Sequence, residues 1–425
     1  MQHVDPYIFI IAASITVIAS HLFNLLARRT NIPSVLMLIG VGIGLHYALR
    51  YFTDYTPGPL LFGVMNILGI AGLIMIVLEA ALDLELRRDK VPLILKAFGV
   101  SLFSLAMTLT VCAWIIHRFI LDDWYIALVY ATPLSIMSSA IVLPSVSGLV
   151  HEKREFMVYE ATFSDILGIM LFYFLVDDHT GKPAAALAAQ ITGSVLLTIV
   201  VSVLVSVAVV WVFQRIRTRI KFFLLIAVLM LLYAIGKKMN LSSLLIILVF
   251  GLMVKNHGLF FRGTLHRLAR PSVMRGILNE LHLITGETSF LVRTFFFIVF
   301  GMTMDLGALF SPYVVLVSAL LIVAIYGVRL TSLLPLHKRH MMPELTIAPR
   351  GLVTILLFYN IPERLTSEAF DNNVLFFIIL ASNLVMMFGL ITTGQGKDLS
   401  VTGPDMLLPD ERQLAQEVDP GEPAS

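Results

Sequence analysis

The residues that could do chemistry are ionisable groups set inside apolar sequence. In VYEATFSDILGIMLFYFL, Asp165 lies nine residues beyond Phe156, about 14 Å along a helix and so near the middle of a hydrocarbon core about 30 Å thick. A carboxylate at that depth costs several kcal/mol unless it finds water, a cation or a proton. Desolvation favours the protonated carboxyl and a bound cation favours the carboxylate, so one such group holds a proton or a metal ion but not both. That is the chemistry of exchange. The plainer alternative is an Asp satisfied by hydroxyls or an Arg inside the bundle. Glu160 stands five residues earlier, near the cytoplasmic edge of the same run, where it either orients the site or is simply solvated. Glu79 lies within the apolar run LGIAGLIMIVLEAALDLEL, whereas Asp83 and Glu85 mark its exit; a carboxylate snorkelling from a helix end is the alternative for Glu79.

Two further segments carry helix breakers beside polar groups. In YATPLSIMSSAIVLPSVSGL, Pro133 and Pro144 each remove a helix hydrogen bond, and Thr132, Ser135, Ser138 and Ser139 offer hydroxyls to the freed carbonyls or to an ion. A broken helix exposes carbonyls that suit a desolvated alkali cation, while a span merely kinked by serine back-bonding would not. In APRGLVTILLFYN, Pro349 and Gly351 flank Arg350, and GETSFLVRTFFFIVFGMTMDL adds Glu287 and a deeply placed Arg293. An arginine cannot shed its proton in practice, so both must find carboxylates or carbonyls. The eleven histidines do not organise: HEKRE is not a zinc-protease motif, and neither GxSxG nor a phosphate-binding loop occurs. This argues against an enzyme, a cofactor or ATP as energy source.

These groups must be positioned by membrane helices. Of 425 residues, 58% are apolar and only 14% are Asp, Glu, Lys or Arg, with mean hydropathy +0.89, against about 25% charged in a soluble chain. Nucleic-acid binding is excluded, as is a cysteine framework, since there is only Cys112. MQHVDPYIFIIAAS has no Lys or Arg ahead of its apolar run and reads as a first span, not a signal peptide. Spans of 17 to 25 residues fall at 6–27, 32–50, 60–84, 91–117, 124–149, 156–176, 185–213, 220–236, 240–255, 283–305, 312–334, 346–361 and 372–393. Lys and Arg in the connections divide 18 to 6, with Lys237 and Lys238 the local exception; this puts the N-terminus outside and the C-terminus in the cytoplasm. Within the membrane domain 1–393, residues 256–282 read as a basic cytoplasmic connection whose Val273, Met274, Ile277, Leu278 and Leu281 recur at helical spacing, as on a surface helix. The acidic stretch 394–425 reads as a disordered cytoplasmic tail. The fold class is thus an all-α polytopic membrane protein of about thirteen spans. Spans 1–6 and 8–13 form two inverted sets, and the interrupted spans 5 and 12 occupy equivalent positions, the sequence signature of a transporter site at the midplane.

The chain resembles the monovalent cation/proton antiporter superfamily, the sodium/proton exchanger fold, over nearly all of residues 6–393. YEATFSDILGIMLF is similar to that family's ESLLNDGVALVLF element, matching Glu160 and Asp165 to its acids. IVLEAALDLEL resembles LLFEAGLELDL, with Glu79 on the first glutamate; APRGLVTILL resembles the LRG element through Arg350 and Gly351; FFFIVFGMTMDL resembles the FF-x-x-x-G-x-x-x-D/N segment. The resemblance implies a homodimer in a lipid bilayer and crossed broken helices in a moving core. It also implies that Asp165 carries Na⁺ or K⁺ in exchange for H⁺, and that Glu79 and Arg350 form an ion bridge reaching towards residue 164. Three departures stand out. Ser164 replaces the usual Asn; Ala161 replaces a Ser, with Thr162 as substitute; and span 5 lacks the Thr-Asp signature, where Ser138 and Ser139 match best and Thr132 second. Superfamily branches associated with potassium often have Ser or Thr at that crossing. The resulting expectation is secondary antiport by alternating access, one cation for one proton, serving pH and cation homeostasis in a prokaryotic inner membrane. The rival readings are a proton-uncoupled cation channel and a transport-inactive sensor.

Overall fold

A computed structural model describes residues 6–30, 32–53, 59–146, 148–176, 193, 197–198, 200–208, 222–238, 243–260, 271–335 and 341–393. Its principal helices are α1 (Pro6–Thr30), α2 (Ser34–Thr53), α3 (Pro59–Asp83), α4 (Val91–Phe119), α5 (Trp124–Ser135), α6 (Ser139–Ser145) and α7 (His151–Val176). They continue with α8 (Phe222–Lys238), α9 (Ser243–Lys255), α10 (Pro271–Met302), α11 (Pro312–Leu333), α12 (Leu352–Tyr359) and α13 (Asn372–Thr392). Seven helical stretches among the described residues are long and apolar enough to cross a membrane. Most of the expected span 185–213 and all of the tail 394–425 lie outside the described residues.

Local sequence sets the helix starts. Asp123 caps α5 by accepting from the Tyr125 and Ile126 amides at 2.7 and 3.0 Å, and Asp371 caps α13 through the Asn373 amide at 2.9 Å. Ser311 precedes Pro312 at the first position of α11, where proline's missing N–H costs nothing.

Three expectations change. The helical spacing at 271–282 belongs to the opening turns of α10, which runs unbroken from Pro271 to Met302, so it is not a separate element. Span 12 is helical only over Leu352–Tyr359 and is entered through the non-helical stretch 347–351. Span 5 opens at Ile136–Ser138, while Pro133 and Pro144 sit inside the two helical halves. The opening forms where side chains stand ready to take the freed amides, as described below.

The helices sort into two bundles. One packs α10 against α2 and α3, with α1, α8 and α9 completing it; the other packs α4 against α5, α7 and α11, with α6 and α13. The short α12 touches both, through α3 on one side and α5 on the other. In that contact Leu356 fills the space a side chain at Gly69 would occupy, and Leu352 lies over Gly72. In lipid, helix association depends on close packing and interhelical hydrogen bonds. The first bundle uses both. Ser20 and Thr294 share a hydroxyl hydrogen bond of 2.6 Å between α1 and α10, and His46 Nδ1 donates to Met302 O at the end of α10 at 2.8 Å. Gly42 and Gly301 let α2 and α10 meet backbone to backbone: a Cβ on Gly301 would stand 2.4 Å from Ile39 O and 3.0 Å from Gly42 Cα. Gly301→Ala is therefore expected to cost about 1–3 kcal/mol, read as a lower unfolding temperature of the detergent-solubilised protein.

Candidate functional site

The two openings cross, and the backbone groups they free can be followed one by one. Ser138 N donates to Pro349 O at 3.0 Å, joining the openings directly. Met137 N donates to Ser164 Oγ of α7 at 2.9 Å. Leu134 O, at the end of α5, accepts from Arg350 Nε at 2.7 Å, and Ala348 O accepts from Arg350 Nη1 at 2.8 Å. Arg350 N donates to Ser382 Oγ of α13 at 3.0 Å, and Arg350 O accepts from Asn383 Nδ2 at 2.9 Å. Arg293, on α10 in the other bundle, donates through Nη1 to Ala140 O in the first turn of α6 at 2.8 Å.

Asp165 sits at this crossing, 3% exposed. Its Oδ2 accepts from Ser139 N at 3.0 Å and from the Ser139 hydroxyl. Its Oδ1 is buried without a partner, as are the hydroxyls of Ser138 and Thr162. Thr132, by contrast, donates its hydroxyl to Leu128 O one turn back at 2.8 Å. Gly351 leaves room for the Ser138 side chain: a Cβ there would lie 2.8 Å from Ser138 Oγ and 2.5 Å from Ile141 Cδ1.

The expected bridge between Glu79 and Arg350 does not form. Arg350 spends its guanidinium on the carbonyls of Leu134 and Ala348. Glu79, half-buried on α3, faces Arg293 and the Ser289 side chain of α10. Glu287 lies exposed on α10. The buried ion pair is instead Glu160 with Arg329 of α11, 1% and 3% exposed, in a two-pronged contact. Glu160 is deep because α7 begins at His151, which puts that carboxylate about 13 Å into the helix. Arg329 also donates to Glu344 O from Nε and Nη2 at 3.2 and 3.0 Å, tying down the turn that leads into the second opening. The Glu344 side chain pairs with Lys153 at 2.9 Å. A cavity of about 10 Å³, the size of one water, lies between Ser101, Ser135, Ser164, Glu160, Arg329 and Arg350. Arg329, Ser382 and Asn383 were not singled out from sequence, although an arginine within AIYGVRLTSL and a Ser-Asn pair within FFIILASNLVMM are polar groups in apolar spans.

The model of the sodium/hydrogen exchanger transmembrane family matches residues 12–394. The chain belongs to that family. It is a multi-pass membrane exchanger, a secondary active cation/proton antiporter and not an enzyme. The fold agrees. A structure of the sodium proton antiporter MjNhaP1 from Methanocaldococcus jannaschii at pH 8 is similar with TM-score 0.68 and 18% identity, covering 92% of this chain and 99% of that one. An electron-microscopy map of the same antiporter gives TM-score 0.62 at 16% identity, covering 96% and 100%. None of the curated protein sequences matches the exchanger.

Two outcomes follow from the geometry. Truncating Arg329 to Ala strands a buried carboxylate, and the exchanger is expected to lose about 3–5 kcal/mol, measured as loss of folded protein after mild heating. Gly351→Ala displaces the Ser138 hydroxyl and is expected to raise the KM for the cation about tenfold, the worth of one polar contact, in a proton-flux titration.

Proposed function

We propose that the exchanger moves Na⁺ or K⁺ against H⁺ through Asp165, which carries either the proton or the cation across the membrane. The observation that carries this reading is the buried, partnerless Oδ1 of Asp165, in a region where the hydroxyls of Ser138, next to Ser139, and of Thr162, one turn earlier on α7, are also buried without partners. A buried carboxylate with no cationic partner has two low-energy states, protonated or cation-bound. Ser139 holds the other oxygen in place for both. Ser164 orients the opening through Met137 N and does not ionise. With Glu160 neutralised by Arg329, Asp165 is left as the one carboxylate of the crossing that changes partner, which favours one cation for one proton. The similar structures are described as a sodium proton antiporter, which supports Na⁺ as the first cation to test.

The architecture we propose has about thirteen spans in two inverted sets, with the N-terminus outside and the C-terminus in the cytoplasm. What supports the inverted sets is a repeated device. Ser164 on α7 takes an amide of the first opening, and Ser382 on α13 takes an amide of the second. By resemblance the protein acts as a homodimer in a prokaryotic inner membrane, serving pH and cation homeostasis.

The test is proton movement in inverted vesicles, followed with an acid-sensitive dye while Na⁺, Li⁺ or K⁺ is added. One cation is expected to dissipate the gradient in the wild type, and Asp165→Asn to abolish the response while the protein still inserts. Full activity in that variant, or cation flux without proton flux, would sink the mechanism.

A further inference from the structure

The two helices flanking the crossing carry adjacent pairs with matching roles. On α7, Ser164 Oγ accepts from Met137 N at 2.9 Å, and its neighbour Asp165 reaches the same opening through Ser139. On α13, Ser382 Oγ accepts from Arg350 N at 3.0 Å, and its neighbour Asn383 reaches that opening through Arg350 O. The pairs differ in charge and in hydrogen-bond direction: an aspartate that accepts on one side, its neutral isostere that donates on the other.

The orientation of the Asn383 amide is fixed by its contacts. Nδ2 donates to Arg350 O at 2.9 Å and to Ile379 O at 2.8 Å. Both partners are carbonyl oxygens, so the atom facing them is the nitrogen, and both of its hydrogens are used. The remaining atom, Oδ1, is an acceptor with no partner in a residue that is 0% exposed. A backbone clamp needs Nδ2 alone; a buried amide oxygen is costly to leave bare unless something polar visits it.

We propose that Asn383 is a specificity-determining residue of the exchanger, its Oδ1 supplying a neutral oxygen ligand to the monovalent cation on the α13 side of the crossing, opposite Asp165. This rests on the function proposed above. Alkali cations shed water readily onto amide and carbonyl oxygens, and a neutral ligand here adds affinity without adding a second titrating charge.

The experiment uses the full-length exchanger in liposomes, with Na⁺ and K⁺ titrations of proton flux for wild type, Asn383→Ala and Asn383→Asp. Removing the oxygen is expected to raise the KM about tenfold, and replacing it by a carboxylate to lower the KM by a similar factor. A residue that only clamps Arg350 O would lower the maximal rate in both variants with the KM unchanged, and that result overturns the proposal. Binding is read independently of transport as the midpoint of the Na⁺- or K⁺-dependent rise in unfolding temperature. An identical midpoint in wild type and Asn383→Ala also overturns it, even if transport proves to be uncoupled from protons. If the alanine variant does not fold, Asn383→Leu carries the same test, since it keeps the volume of the side chain and removes the oxygen. Absence of proton flux from the wild type would count against the antiport mechanism alone, because the midpoint still decides the ligand.

Discussion

A helix that stops inside a membrane leaves amides and carbonyls that no water can satisfy, and among the described residues two such stops meet at one place. The bond from Ser138 N to Pro349 O joins them. The other freed groups each summon a particular side chain: Ser164 for Met137 N, Arg350 for Leu134 O and Ala348 O, Ser382 for Arg350 N, Asn383 for Arg350 O. An unmade bond of this kind costs about 1–3 kcal/mol, so the positions of α7 and α13 follow from the need to deliver those side chains.

The same constraint decides where the charges go. Arg350 and Arg293 are spent on carbonyls at the ends of broken segments, and Arg329 is spent on Glu160 and Glu344 O. Three buried or half-buried cations thus surround the crossing, and none pairs with Asp165. Asp165 is left without a cationic partner because the nearby positive charge is already committed, to Glu160 and to backbone carbonyls.

Much of this was legible in the sequence. Asp165 stood out because a carboxylate in an apolar run has few innocent explanations, and the interrupted spans were marked by prolines with clustered serines in span 5 and by Pro349 and Gly351 flanking Arg350 in span 12. The exact opening in span 5 was not legible: the prolines drew attention to 133 and 144, whereas the break at Ile136–Ser138 depends on partners from α7 and the second opening, more than twenty residues away. The pairing of Glu79 with Arg350 came from resemblance; in the structure the guanidinium goes to the carbonyls of Leu134 and Ala348, and Glu79 faces Arg293. Glu160 looked superficial because apolar patterning missed the polar opening turns of α7, His151–Glu155. Arg329 and Asn383 were visible as polar residues in apolar spans, but their partners lie on other helices that one-dimensional periodicity cannot reach.

The boundary between the bundles has a further consequence. Where α12 meets α3, leucine side chains press against the bare backbone of Gly69 and Gly72. Contacts of that kind have shape but little direction, so their energy changes gently with axial displacement. Arg293, which crosses the boundary to Ala140 O, is different, since a hydrogen bond is lost within an ångström or so. The interface therefore has the mechanics of a lubricated bearing with a latch, and the latch is fastened to the first turn of α6, next to the residue that holds Asp165.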